Sequence, residues 1–268
     1  MSLTHWFPLT ENLIDKITGE ELTGSFVASS GGKMGNNLDT NTAHESSFVM
    51  NNSWNPITSS VSMACWVKFD YEKIKEFFST KTSSYETPTG NIVGNHSYAG
   101  LGLIWLGNSL TNFTQMKVFA HIRGTGANTG TGSYVIPDNE WTHIALTADY
   151  ETKTLKFYLN GEYKSSTSYS SLTDTGSGAT RKLMLNYSGV YGGNGPGLNI
   201  PMSLNDVRIY DHTLSRAEVR ELAHAKVLHY TFDDDLACGA TNEAPVSGWS
   251  TYGSYWTLLE RTSHGLKI

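Results

Sequence analysis

The sequence predicts an all-β fold, a two-sheet antiparallel sandwich with one short C-terminal α-helix. Three observations lead there. Ser, Thr, Asn and Gly make up 104 of the 268 residues, aromatic residues reach 12%, and Pro is held to seven. Short β-branched and aromatic segments punctuated by such turn-formers are the pattern of antiparallel sandwiches and barrels. A single segment, late in the chain, shows helical periodicity with a cap. Charged residues are only 16% of the chain and the formal net charge is −6. No block of like charges forms, which argues against nucleic acid and anionic membranes as partners. The longest apolar runs, such as Leu101–Leu106, are too short to span a bilayer.

The strands follow in order. Ser62–Phe69 places Met63, Cys65, Val67 and Phe69 on one face at period two. Asn91–Gly94, Gly100–Trp105, Met116–Ile122 and Trp141–Ala148 continue the series, with Trp66 and Trp105 expected in the core. Thr154–Leu159 runs into Asn160-Gly161, a strong hairpin signal because a type I′ turn needs positive φ at both central residues. Glu162–Lys164 is the returning arm, and Leu183–Leu185 and Val207–Tyr210 complete the set. Arg208, inside an apolar strand, requires a carboxylate partner, for which Asp206 and Asp211 are the candidates. Ser215 as N-cap and Glu218 three residues on form a capping box, with Leu214 and Val219 as its hydrophobic staple. That helix should end near His224–Lys226. Tyr71–Phe78 is read either as a second short helix or as an irregular connection. Two cysteines, Cys65 and Cys238, make neither a disulfide framework nor a zinc site.

At Lys226 the character changes. Residues 1–226 are read as one domain and 227–268 as a linker strand opening a further β module; the alternative is that this tail packs on the sandwich. The opening Met1–Trp6 lacks the basic and apolar regions of a secretory signal.

Several segments together resemble the laminin-G-like jelly roll of the concanavalin A-like lectin/glucanase superfamily, in its bacterial and phage branch. The residues are Trp141-Thr142-His143-Ile144-Ala145-Leu146-Thr147, Phe157-Tyr158-Leu159-Asn160-Gly161, Asp206-Val207-Arg208-Ile209-Tyr210 and Leu214-Ser215, in the family's order. Trp6–Leu9 and Gly32–Asp39 resemble its opening strand and first turn, so the likeness spans roughly 4–225. It implies a jelly-roll sandwich and, in a looser likeness of Thr241–Ser250 to tail-protein connectors, a phage or prophage setting. An extracellular, cell-surface or virion-associated location follows from the same resemblance.

The resemblance also implies a structural Ca²⁺, with Asp206, Asp15 and Asn205 (or Asn12) as ligands, hard oxygens of the kind calcium takes. Catalysis is not expected. Glucanases of this fold carry two acids at E-x-D-x-E or E-x-D-x-x-E spacing, which no segment here has, and Asp233–Asp235 lies outside the domain. Sugar sites instead need aromatic faces for the C–H side of a ring and amides for its hydroxyls. Tyr98, Tyr187, Tyr191 and Asn194 are the candidates, on Gly-rich loops that also hold Tyr134 and Tyr169. The expected function is a non-catalytic recognition module for a glycan or cell-surface polysaccharide, within a larger modular protein. The competing reading is a structural spacer that contacts only neighbouring modules.

Overall fold

The computed structural model describes residues 2–40, 48–54, 59–80, 88–95, 100–123, 128–170, 181–187, 199–224, 260–262 and 265–267. The chain divides into two compact units, Met1–Val227 and Leu228–Ile268. In the second, the described residues form a hairpin, paired Glu260–Thr262 with Gly265–Lys267.

The first unit is two antiparallel sheets face to face. The larger contains β1 (Leu3–Phe7), β2 (Ala28–Gly32), β3 (Gly35–Asp39), β5 (Val61–Lys68), β11 (Thr142–Asp149), β12 (Thr154–Leu159), β13 (Glu162–Ser168) and β15 (Ser203–Tyr210). Its order is β13-β12-β11-β5-β15-β3-β2, with β1 also paired to β15. The smaller contains β4 (Phe48–Val49), β6 (Thr89–Gly94), β7 (Gly102–Gly107), β8 (Met116–Arg123), β9 (Asn128–Gly130), β10 (Tyr134–Ile136) and β14 (Met184–Tyr187). Its order is β10-β8-β7-β6-β14-β4, with β9 paired to β8.

Alternation decides which face enters the core. Met63, Cys65 and Val67 of β5, Ile144 and Leu146 of β11, and Val207 and Ile209 of β15 meet Leu103 and Trp105 of β7 and Val118, Ala120 and Ile122 of β8 in one buried cluster. Burial raises the Cys65 thiol pKa, as for an inert core residue. The segment 71–79 resolves as a helix, α1 (Tyr71–Ser79), capped by Asp70 and anchored by buried Ile74, Phe77 and Phe78. Asn160 and Gly161 both take positive φ, 50° and 78°, as the hairpin signal requires.

The second helix, α2 (Arg216–His224), covers the outer face of the larger sheet. Ala64, Ala145 and Tyr158 form the floor under Leu214 and Val219. Small residues on two central strands let the helix sit close. The capping box is formed: the Ser215 amide donates to Glu218 at 2.7 Å and the Glu218 amide to Ser215 Oγ at 3.2 Å. Arg216 and Arg220 both pair with Glu162 at the start of β13, holding its carboxyl at a pKa of about 2. Among the described residues no helix is long and apolar enough to cross a membrane.

Two of the tryptophan assignments part ways. Trp105 is fully buried in the core, but Trp66 is half-buried on the outer face, edge-on to His143 at 5.3 Å and beneath the Lys33 ammonium at 4.6 Å. The reason is register: Trp66 opposes His143 on β11 and Asn205 on β15, out of phase with Cys65 and Val67.

Candidate functional site

Asp15, Asn205 and Asp206, widely separated in sequence, meet around the end of β1. Trp6 connects two of them: its amide donates to Asp15 Oδ1 at 2.8 Å and its indole Nε1–H to Asp206 Oδ1 at 2.8 Å. The Pro8 carbonyl accepts from the Asn205 side chain at 2.8 Å and from the Asp206 amide at 3.1 Å. Asp206 takes a left-handed φ of 51°, at a bulge that turns β15 from β3 toward β1.

The oxygens of this cluster are committed to protein donors. Asp15, fully buried, accepts from the Trp6 and Ile17 amides and from the Thr18 hydroxyl, and lies 2.7 Å from His5 Nδ1. Burial alone would raise its pKa, but Thr18, Trp6, Ile17 and His5 together hold it below the ordinary carboxylate value. Asn205 Oδ1 accepts the Met34 amide at 2.9 Å. Asp206 Oδ1 also holds the Arg208 Nε–H at 2.7 Å. That pairing answers the question Arg208 raised in the sequence. Calcium needs six to eight oxygens with lone pairs turned inward. Here both Asp15 oxygens, Asp206 Oδ1 and Asn205 Oδ1 face N–H or O–H donors, and the Arg208 guanidinium stands beside Asp206. The set does not fit a calcium shell; it fits a polar clasp that ties β1 to β15. Among the described residues no group of three or more His, Cys, Asp or Glu side chains could hold a metal.

The outer face of the smaller sheet has different chemistry. Strand register aligns Tyr187, Asn91, Ile104 and Phe119 in one line across β14, β6, β7 and β8. A second line runs Met184, Gly94, Gly102, His121 and Gly130, on into β9. Two local irregularities set this up. A bulge between Asn91 and Val93 lets Val93 enter the core and sets Asn91 opposite Ile104, both of them buried at 2% and 8% exposure, and Asn186, at φ 46°, precedes Tyr187, which pairs with Asn91. The Asn186 amide holds that bend by donating to Thr40 Oγ1 at 3.2 Å and the Ile200 carbonyl at 3.0 Å.

The glycines on this face make room for functional groups. A Cβ on either Gly94 or Gly102 would lie 2.8 Å from Asn91 Oδ1, and one on Gly130 would lie 3.2 Å from the Phe119 ring. The Asn91 amide and the Phe119 ring therefore rest on bare backbone. Phe119 and His121 stand edge to face with centroids 6.5 Å apart. The register places no carboxylate in either line.

Of the four tyrosine and asparagine candidates, Tyr187 is on this face, half-buried. Tyr98, Tyr191 and Asn194 lie outside the described residues. By chain order Tyr98 belongs to the β6–β7 connection and the other two follow β14. Two further tyrosines are structural. Tyr169 is buried with its hydroxyl on the Asp149 carbonyl at 2.7 Å, and Tyr134 stacks on Phe157 at 5.7 Å and donates to the Lys164 carbonyl. Asn91, Ile104, Phe119 and His121 were not singled out from sequence, although Met116–Ile122 alternates and sets Phe119 and His121 opposite Val118, Ala120 and Ile122. A large aromatic on the non-core face was the available signal.

Comparison with known proteins agrees with this architecture. A laminin G family model, described as the concanavalin A-like lectin/glucanases superfamily, matches residues 39–220. A search of curated protein sequences returns no match. Among solved structures the chain is similar to domain 4 of AbnA, an extracellular arabinanase from Geobacillus stearothermophilus, solved with arabinotriose: 17% identity, TM-score 0.53, 83% of this chain and 98% of that one. It is similar to the binding domain of Paraclostridial Mosquitocidal Protein 1, at 16% identity and TM-score 0.57, over 82% of this chain and 51% of that one. The botulinum neurotoxin serotype D ligand-binding domain, solved with N-acetylneuraminic acid, gives 14% identity and TM-score 0.54, over 83% and 50%. The chain thus spans about half the length of the toxin domains it matches. At these identities the structural likeness speaks for the fold alone. With the family model covering more than half of its length, the chain belongs to the concanavalin A-like lectin/glucanase superfamily.

Proposed function

We propose that the chain is a non-catalytic carbohydrate-recognition module of a larger surface or phage-tail protein, and that it binds through the outer face of the smaller sheet. The observation that carries this is the line Tyr187–Asn91–Ile104–Phe119, in which the half-buried rings of Tyr187 and Phe119 flank buried Asn91 and Ile104, with Gly130 bare against the Phe119 ring. Aromatic faces pack against the C–H side of a sugar ring, while amide, phenol and imidazole groups satisfy its hydroxyls. Tyr98, Tyr191 and Asn194, on segments joined to the same sheet, are the proposed complement to Tyr187. Two similar folds solved with arabinotriose and N-acetylneuraminic acid support a glycan as the class of ligand. Glycoside hydrolysis needs two carboxyls about 5–9.5 Å apart, and the two lines offer none. Affinity per module is modest, and repetition of the module in an assembly raises it.

A glycan array probed with and without EDTA tests this reading. Specific binding unchanged by the chelator is the expected result, because both Asp15 oxygens, Asn205 Oδ1 and Asp206 Oδ1 accept hydrogen bonds from protein donors. A blank array from folded protein would favour a spacer that meets only neighbouring modules, and loss of signal with EDTA would return calcium to the site.

A further inference from the structure

A separate cleft of about 450 Å³ opens on the other side of the sandwich, between α2 and the β1–β15 edge. Its volume lies within the usual range for small-ligand sites. It goes beyond the glycan reading, because it is built on the larger sheet and shares no residue with the outer face of the smaller one.

Register and helix phase explain its lining. Leu3 opposes Tyr210 on the adjoining strand, so both belong to the floor. On α2, Val219 and Ala223 bury against the sheet and Arg216 and Arg220 reach toward Glu162, which leaves Glu218, Glu221 and Leu222 to form the wall above the floor. The Tyr210 and His212 rings meet edge to face, with centroids 5.7 Å apart.

The charges in this cleft are unequal in what they leave free. The Arg208 guanidinium is bound through Nε to Asp206 at 2.7 Å and lies over the Trp6 ring, 5.4 Å from its centroid. Its positive charge is thereby met from within. Glu218 is partly engaged in capping α2 through Ser215. Glu221 is exposed, makes no hydrogen bond or ion pair among the described residues, and lies in the same wall. What remains for a ligand is carboxylate, the Tyr210 and His212 rings, packed edge to face with Tyr210 also bonded to Arg208, and the leucines Leu3 and Leu222.

We infer that this cleft binds a small organic cation, an alkylammonium group. Carboxylates attract its charge, aromatic faces within about 6 Å stabilise it further, and the leucines accommodate its alkyl surface. A neutral molecule of the same shape would keep only the last of these contacts, and an inorganic cation would keep the attraction of the carboxylates without the leucine contacts.

Choline and its uncharged isostere 3,3-dimethylbutan-1-ol are the probes, titrated into the full chain and followed by amide NMR. Choline should give saturable shifts centred on Tyr210, His212, Glu221 and Leu222, at a midpoint at least about tenfold below that of the alcohol. Glu221→Gln, at an exposed position that leaves the fold intact, should weaken choline about fivefold. Tyr210→Phe should keep binding, while Tyr210→Leu should lose it. Equal midpoints for choline and the alcohol, linear shifts without saturation, or a Glu221→Gln midpoint identical to wild type would each overturn the proposal. Glycan binding is expected to be the same in Glu221→Gln and wild type, so failure of either reading leaves the other standing.

Discussion

His143 is the residue at which the rear face of the larger sheet stores a cost. It is buried against Trp66, and among the described residues its Nδ1 has no hydrogen-bond partner. Burial, reinforced by the positive charges of Arg208 and His224, pushes its pKa down to about 3. The folded chain therefore holds a neutral imidazole where the unfolded chain takes up a proton near pH 6.5. Its contribution to stability is complete above pH 6.5 and is lost as pH falls toward 3, with a slope of up to about 1.4 kcal/mol per pH unit. Urea unfolding between pH 7 and 4 checks this: wild type should lose stability with that extra slope, and His143→Gln should show a flatter profile. Identical slopes would contradict the assignment. A second residue-level prediction concerns Asp206. Asp206→Ala strips the partner from Arg208 and from the Trp6 indole, and should cost about 3 kcal/mol in the same assay; a loss below about 1 kcal/mol would show the clasp to be ornamental.

At the scale of elements, close packing rests on a few small residues. A Cβ on Gly161 would meet Ala223 Cβ and Arg220 Cα at 3.1 Å, and Gly161 has φ 78°. Gly161→Ala should loosen α2 and lower stability by about 1–3 kcal/mol, with faster amide exchange at Val219 and Ala223 as the sign that the helix has lifted. Ser215→Ala should cost about 1 kcal/mol through loss of the cap. What was legible in the sequence follows the range of the interactions. The capping box, the Asn160-Gly161 turn and the Met63–Phe69 alternation are local, and each formed where the residues placed it. The outward position of Trp66 depends on which strands flank β5, and the clasp joins Trp6 to Asp206 across 200 positions. Neither a spacing nor a period carries that information. The implied calcium ligands illustrate the same limit: the resemblance names Asp15, Asn205 and Asp206, but only the structure shows the hydrogen bonds that their side-chain oxygens accept from protein donors.

For the molecule as a whole, the two sheets divide the work. The larger carries the helix, the clasp and the cation cleft on its outer side. The smaller has the half-buried rings of Phe119 and Tyr187 on its outer side, in line with buried Asn91 and Ile104. Tyr187 is a ligand candidate in sequence because a tyrosine beside a Gly-rich stretch stands out. Asn91 is not, because its place opposite Ile104 is set by a bulge, and Phe119 lies inside an apolar-looking strand. Gly102→Ala tests the cleared floor from below. Its Cβ would press on Asn91 Oδ1 and on the Val93 carbonyl, 2.9 Å away, so stability and glycan binding should both fall. The most direct test of the central claim is a glycan array probed in parallel with wild type and with Phe119→Ala and Tyr187→Ala, each first checked for folding by circular dichroism. The account predicts a specific wild-type signal that falls at least about tenfold in both variants, as expected for removing a stacking ring. Wild-type binding that both folded variants retain would place recognition elsewhere and contradict it.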